Sequence, residues 1–251
     1  MSGSRASRDD LGALVAVPRP VRRVVSLVPS LTEAVAFSGL LVGATDYCVH
    51  PSGLAVARVG GSKYPSVPAV LDLAPDLVLA NFEENRKEDV EALRAAGVAV
   101  WVTAPTTVPA ALTSLGRLLA VLGEGSPPWY ADACAAWPPG PPSPPRLRAV
   151  VPIWKKPWMA LGRDTFAGDV LARLGVANVL ASAGSRYPEF SPGDLPDHDV
   201  VVLPDEPYAF APEDTAAFAG KRAAFVSGRH LTWYGPSLAE APEVLGAALG
   251  L

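Results

Sequence analysis

Apolar positions along the chain fall into short Val- and Leu-rich runs separated by stretches with helical spacing. "VRRVVSLV" reads as a strand and "PSLTEAVAFSGL", directly after it, as a helix. In that helix Leu31, Ala34, Val35 and Ser38 share one face, Ser30 and Glu33 have capping-box spacing, and Gly39 is the stop. "NRKEDVEALRAAG" predicts a second capped helix ended by Gly97, and "VAVWVT" the strand that follows it. Strands alternating with amphipathic helices predict parallel sheets built from βα units.

The pattern is written twice. "GSKYPS" at 61–66 returns as "GSRYPE" at 184–189, and the same offset of 123 carries "DLVLA" at 76–80 onto "DVVVLP" at 199–204 and Glu83 onto Glu206. The helix ending at Gly39 matches "TFAGDVLARLG", ending at Gly175, with an offset of 136. One plan used twice is expected, with about thirteen additional residues in the first copy that include the loop "TDYCVHPSG" at 45–53. Between the copies "VPAALTSLGRLLAVLG" predicts a helix, Pro127 and Pro128 suit the start of another, and the run from Pro138 to Pro145 cannot continue one. The expected organisation is a disordered tail over 1–20, an N-terminal α/β lobe over 21–122, a connecting helix and proline-rich spacer over 123–145, and a C-terminal α/β lobe over 146–251.

Composition narrows the function classes. The 251 residues are 49% hydrophobic and 18% charged with net charge −4, so no basic field exists to hold nucleic acid or an anionic membrane. Two cysteines make no disulfide framework, and no apolar run approaches the roughly 18 residues of a membrane span. The N-terminus has basic residues and an apolar patch from Leu11 to Val17, but Asp9 and Asp10 precede the patch and no small-residue cleavage site follows it. The expectation is therefore a cytoplasmic protein, with an extracytoplasmic one as the alternative if the true start lies upstream.

Strand-end loops are where a doubly wound lobe presents its ligand edge. The loops at 45–53, 61–66 and 81–85 of the first copy, and at 154–163, 184–190, 204–210 and 229–235 of the second, are crowded with aromatics. Tyr47, Tyr64, Phe82, Trp154, Trp158, Tyr187, Tyr208, Phe210, Trp233 and Tyr234 are candidate walls of a pocket between lobes. Lys63 and Arg186, at matched positions, are candidates for charge against an anionic ligand. Phosphate-loop, zinc-protease, nucleophile-elbow and dinucleotide fingerprints are missing. In "DHD", strand alternation sends His198 to one face and Asp197 and Asp199 to the other. Cys48 and His50 leave three readings open: metal ligands, a nucleophile pair, or a recognition loop.

With these residues the chain resembles the cobalamin- and iron-siderophore-binding proteins, the class III solute receptors of ABC importers, also called helical-backbone metal receptors. The resemblance is carried by "RVVSLVPSLTEAVAFSGL", "VGATDYCVHP", "VGGSKYPSVPAVLDLAPDLVLAN", "IWKKPWMALGRDTFAGDVLARLGVANVLA" and "WYGPSLAEA", and spans about residues 21 to 249. It implies two Rossmann-like α/β lobes joined by a connecting helix, with the ligand in a cleft between them. It places aromatic ligand contacts near His50, Tyr64, Trp158 and Tyr187; a further contact falls on Asn81, with Phe82 next to it. It implies a bound cobalamin or ferric chelate whose metal belongs to the chelate, so that no protein metal site and no intrinsic cofactor are required. It also implies an ABC permease as partner if the chain is exported, docked through an acidic residue on each lobe. Lys87, with Glu88 beside it, occupies that position in the first lobe, and Glu213 and Asp214 are the candidates in the second. The resulting expectation is a non-enzymatic binder of a metal chelate. The alternative is a cytoplasmic enzyme on the same fold, acting on a small anionic or aromatic substrate through the Cys48/His50 loop.

Overall fold

All strand pairs within the two main sheets are parallel, as βα alternation requires. The structure, a computed structural model, describes residues 3–123, 125–218 and 220–251. The chain divides into two units. Unit 1 holds Met1–Pro105, Ala111–Ala131 and Tyr234–Pro236; unit 2 holds Thr106–Ala110, Asp132–Trp233 and Ser237–Leu251.

Unit 1 begins with an antiparallel hairpin, β1 (Gly3–Arg8) and β2 (Leu14–Arg19). Next come β3 (Val24–Ser26), α1 (Pro29–Val35), β4 (Leu41–Ala44), β5 (Ala57–Arg58), α2 (Val67–Asp72), β6 (Leu77–Asn81), α3 (Lys87–Ala95) and β7 (Val100–Thr103). The strand order is β5-β4-β3-β6-β7. Val25, Val78, Ala80, Val100 and Val102 pack one sheet face against Val70 of α2 and Val90 and Leu93 of α3. Helix α4 (Val108–Leu122) begins in unit 2 and continues in unit 1.

Helix α5 (Pro128–Ala136) leads into unit 2. There follow β8 (Leu147–Val150), β9 (Pro152–Trp154), β10 (Met159–Ala160), α6 (Phe166–Arg173), β11 (Val176–Asn178), β12 (Val200–Pro204), β13 (Arg222–Val226), α7 (Gly228–Thr232) and α8 (Ala241–Leu249). The main sheet runs β11-β8-β12-β13. Without the extra edge strand β5, that is the order of unit 1, with β8, β11, β12 and β13 in the places of β3, β4, β6 and β7. The repeat extends to a side chain. Asp76, just before β6, accepts from the backbone N–H of Arg22 and Arg23 (2.8 and 3.0 Å), and Asp199, just before β12, accepts from that of Arg148 (2.7 Å). Each carboxylate pins the start of one strand to the start of its neighbour. Gly39 and Gly175, the two predicted helix stops, both have positive φ, 68° and 80°.

Three expectations are corrected. Residues 3–19, expected to be a disordered tail, form the β1–β2 hairpin; Val15 and Val17 point inward with the period of two that the "LVAV" run already carried. Met1 and Ser2 lie outside the described residues. Asp9 and Asp10, in the hairpin turn, replace a further strand along the edge of β7: Asp10 N–H donates to Val102 O, and Asp10 Oδ2 accepts from Ala104 N–H. The capping box is absent. Pro29 supplies the first position of α1, so the helix begins one residue too early for Ser30 to cap it; the cap is Val28, without a side-chain bond. Finally, the helix shared by the two units is α4, which lies before the expected connector at 123–145; the proline run follows α5 and is exposed throughout.

Candidate functional site

The carboxyl ends of the parallel strands in unit 1 carry three large rings in water. Tyr47 lies beyond β4, Tyr64 beyond β5 and Phe82 beyond β6, and they are 68%, 69% and 58% exposed. Val49, 57% exposed, adds to them. Leaving this much apolar surface solvated on neighbouring loops forgoes stabilisation that burial would supply, at roughly 25 cal/mol per Å².

The loops beneath these rings are tied down. Arg58 donates to the carbonyls of Thr45 and Cys48 (2.8 and 2.9 Å), which fixes the Tyr47 turn. Thr45 Oγ1 and Ser62 Oγ share a hydrogen bond of 3.1 Å, and Asn85 donates to Ser62 O and Leu27 O, joining three loops. Lys63 Nζ donates to Glu83 O at 3.2 Å. Asn81 is buried at the end of β6. Its Oδ1 accepts from the N–H of Glu83 and Glu84, and its Nδ2 donates to Thr103 O and Tyr234 Oη. The position after the "DLVLA" strand therefore works as a turn-former, and its neighbour Phe82 is the ring left outside.

Cys48 and His50 do not form a reactive pair. Cys48 is fully buried, and its Sγ accepts from Thr32 Oγ1 at 3.0 Å and hydrogen-bonds Thr45 Oγ1 at 3.1 Å. Burial pushes the thiol pKa up, against the lowering effect of those hydroxyls. The thiolate needed for attack or ligation is thus disfavoured. Two residues on, His50 is only half-buried at the loop's end. The stretch alternates: Cys48 anchors it from inside while Tyr47 and Val49 face water. Among the described residues no group of three or more His, Cys, Asp or Glu side chains is placed to hold a metal ion.

Unit 2 treats its aromatics differently. Trp158, half-buried, stacks parallel to Phe210 with ring centroids 6.0 Å apart and meets Phe218 edge-on at 5.2 Å. Tyr208 sits 4.7 Å from Phe210 and packs edge-on against Trp154 at 5.7 Å. Trp233 is 7% exposed, and its indole N–H donates to Glu206 at 3.0 Å. Trp233 is therefore a core ring, because a carboxylate inside unit 2 satisfies its only polar atom. Tyr187 and Arg186 are half-buried in a turn where Gly162 N–H donates to Arg186 O; a Cβ on Gly162 would lie 2.2 Å from Ser185 O, so only glycine fits there. The ring of this unit most open to water is the candidate Trp154, 45% exposed, whereas Phe210 and, in unit 1, Tyr234 are buried. His230 is buried and bonded to Ser227 and Glu240. His198 is buried with Nδ1 donating to Pro196 O, while Asp197 lies outside, 78% exposed, in ion pairs with Arg148 and Lys221. Hollows of about 330 and 350 Å³ lie away from the exposed rings, the first lined by Ser7, Trp101 and Arg117 and the second by Thr107, Asp164 and Asp169.

No family model matches the chain. A vitamin B12-binding protein of Vibrio cholerae is 23% identical over 188 residues, covering 71% of this chain and 68% of that protein. The solved structure of the periplasmic vitamin B12 binding protein BtuF of Vibrio cholerae superposes with a TM-score of 0.72 at 19% identity, covering 92% of this chain and 97% of the other. The chain has the class III solute-binding fold. A second solute-binding protein, the periplasmic heme-binding protein RhuT from Roseiflexus sp. RS-1, superposes with a TM-score of 0.70 at 21% identity, covering 91% and 97%. The chain itself is built from parallel sheets in a mixed α/β arrangement.

Proposed function

We propose that the chain is a non-enzymatic binder of a metal chelate of the cobalamin, heme or ferric-siderophore kind. The observation that carries this reading is the set of solvated rings, Tyr47, Tyr64 and Phe82, on braced loops at the strand ends of unit 1. Exposed rings on a preorganised frame gain from covering a flat apolar guest and lose little entropy in doing so. The relatives are named for binding vitamin B12 and heme. The enzyme alternative is not favoured, and burial of Cys48 removes the nucleophile on which it depended. Tyr47, His50, Tyr64 and Phe82 are the ligand-binding residues proposed for unit 1. Trp154, Trp158, Tyr187 and Tyr208 remain candidates in unit 2, whereas Trp233 serves through its support of Glu206.

The solved relatives are periplasmic by name, which favours an extracytoplasmic location over the cytoplasmic one expected from the sequence. An ABC permease is the matching partner. Asp214 is engaged by Lys155, so Glu88 and Glu213 are the exposed acids available for docking. Among the described residues no helix is long and apolar enough to cross a membrane.

Titration with hydroxocobalamin, hemin and a ferric catecholate, followed by visible absorbance and calorimetry, tests the proposal. A saturable spectral shift with at least one chelate, weakened when Tyr47, Tyr64 and Phe82 are replaced together by alanine, is expected. No heat and no shift with any of the three would overturn it.

A further inference from the structure

The ring of Tyr64 already has a partner on one face. The Arg86 guanidinium carbon stands 4.6 Å from the ring centroid. It is held there by two hydrogen bonds to one carboxylate, Nε to Asp89 Oδ2 at 2.9 Å and Nη2 to Asp89 Oδ1 at 2.8 Å. Asp89 is itself buried on the first turn of α3, its side chain 10% exposed, against 38% for Arg86. The planar fork of arginine matches a carboxylate and stacks on a ring at the same time, which lysine cannot do. The Tyr64 turn is closed from behind by Ser66 N–H donating to Val59 O at 2.7 Å, and Pro65 is buried beneath it. Yet 69% of Tyr64 is open to solvent. A ring gripped on one side and bare on the other is a stacking platform rather than a surface side chain at rest.

We infer that Arg86 is a positioning residue for ligand binding, holding Tyr64 as the middle layer of an arginine–tyrosine–guest stack whose guest is a conjugated macrocycle. This rests on the binding reading proposed above. The cation draws the π density of Tyr64 towards itself, so the free face is electron-poor and favours the electron-rich face of a conjugated ring over a cation. Fixing the ring before the guest arrives also removes an ordering cost from association. Asp89 acts one step further back, by fixing the arginine.

The test is a double-mutant cycle on the full chain, read by hemin and hydroxocobalamin affinity alongside thermal unfolding. Arg86→Ala weakens chelate binding by about two- to fivefold, the size of an exposed cation–π contact; its unfolding midpoint also falls, because buried Asp89 loses its partner, and affinities are therefore compared at a temperature where every variant is folded. In a Tyr64→Leu background the same substitution has no further effect, because no ring remains to be held. Arg86→Lys recovers only part of the loss, since an ammonium cannot make the two-pronged bond to Asp89 while lying flat on the ring. If the parent binds a chelate and Arg86→Ala binds it equally well, the inference is overturned and the binding reading stands. An Arg86→Ala effect of equal size in the Tyr64→Leu background also overturns it. A parent that binds neither chelate overturns both.

Discussion

The side-chain amide of Asn81 donates to the hydroxyl of Tyr234 at 2.7 Å, across 153 residues of sequence. Thr103 Oγ1 lies 2.7 Å from the same hydroxyl, so the ends of β6 and β7 both hold the C-terminal segment Tyr234–Pro236 on unit 1. Asn81 uses its carbonyl oxygen to shape the turn that leaves Phe82 outside. Tyr234 therefore supports the turn that carries a ring of the candidate site.

Replacing Tyr234 by phenylalanine leaves buried polar groups of Asn81 and Thr103 short of a partner, at a cost of about 1–3 kcal/mol. Urea denaturation of Tyr234→Phe measures it, and a loss below a few tenths of a kcal/mol would mean that the network is dispensable. Burial raises the hydroxyl pKa above that of free tyrosine. The unfolded chain then releases this proton first, so the contribution is intact below about pH 10 and falls as pH rises beyond it. Tyr234→Phe should accordingly flatten the alkaline limb of the stability curve.

Cys48 and Cys134 should separate cleanly by reactivity. Cys48 is fully buried with a raised pKa, whereas Cys134 is half-buried on α5. A thiol reagent at neutral pH is expected to label one equivalent in the folded protein, at Cys134, and two only in denaturant. Fast labelling of Cys48 in the folded state would restore the reactive-cysteine reading. The raised pKa also has a sign: the folded state keeps the proton longer, so the contribution is full below the free thiol pKa of about 8.5 and falls as pH rises from there towards the higher folded value.

The parts of this fold that the sequence made legible are those written in period and repetition. Two strand–helix series with matched GSxYP turns gave two parallel sheets with one shared strand order, down to the Asp76 and Asp199 clamps. What stayed hidden depends on which way a side chain faces in three dimensions. Trp233 directly after α7 and Tyr47 shortly after β4 read alike in the sequence, yet one is sealed by Glu206 and the other is bare. Cys48 looked reactive because composition shows rarity, not burial. Arg86 was silent because its meaning requires Tyr64, twenty-two residues earlier, to fold back over it. The hairpin was missed because six-residue strands joined through Asp-Asp-Leu-Gly-Ala resemble a charged tail until the acids find their partners.

Those acids make the hairpin a test of edge protection. The Asp9 side chain is fully buried; it accepts from the N–H of Leu11 and Ala13 and pairs with Arg94 Nη2 at 3.0 Å. Asp9→Ala strips the turn of these bonds and leaves Arg94 unpaired, at a cost of about 2–4 kcal/mol. Limited proteolysis is expected to cut first between Arg8 and Leu14 in this variant and not in the parent. Release of the hairpin would uncover the edge of β7, so concentration-dependent self-association should rise with it. Equal protease resistance in both proteins would show that the hairpin is held without Asp9, by the burial of Val15 and Val17 and the bonds of Asp10.

In unit 2 the corresponding electrostatic fastening is Asp214. Its carboxylate accepts from Ala211 N–H at 2.9 Å and from Lys155 Nζ, and these bonds hold its pKa below the usual carboxylate range despite burial. Lys155 in turn lies 5.7 Å from the Trp158 ring, so the pair closes over the cluster of Trp158, Phe210 and Phe218. A carboxyl with a depressed folded pKa stabilises the fold above its unfolded value near 3.9, and that stabilisation disappears as pH falls through the folded value. Asp214→Asn should therefore be less stable than the parent at pH 7, and the two stabilities should converge as the pH drops below about 4. Urea titrations at stepped pH, followed by tryptophan fluorescence, measure the gap. A gap that stays constant down to the acid limit would mean that the asparagine loses packing or geometry rather than charge, and that the Lys155 contact contributes nothing to holding the aromatic cluster.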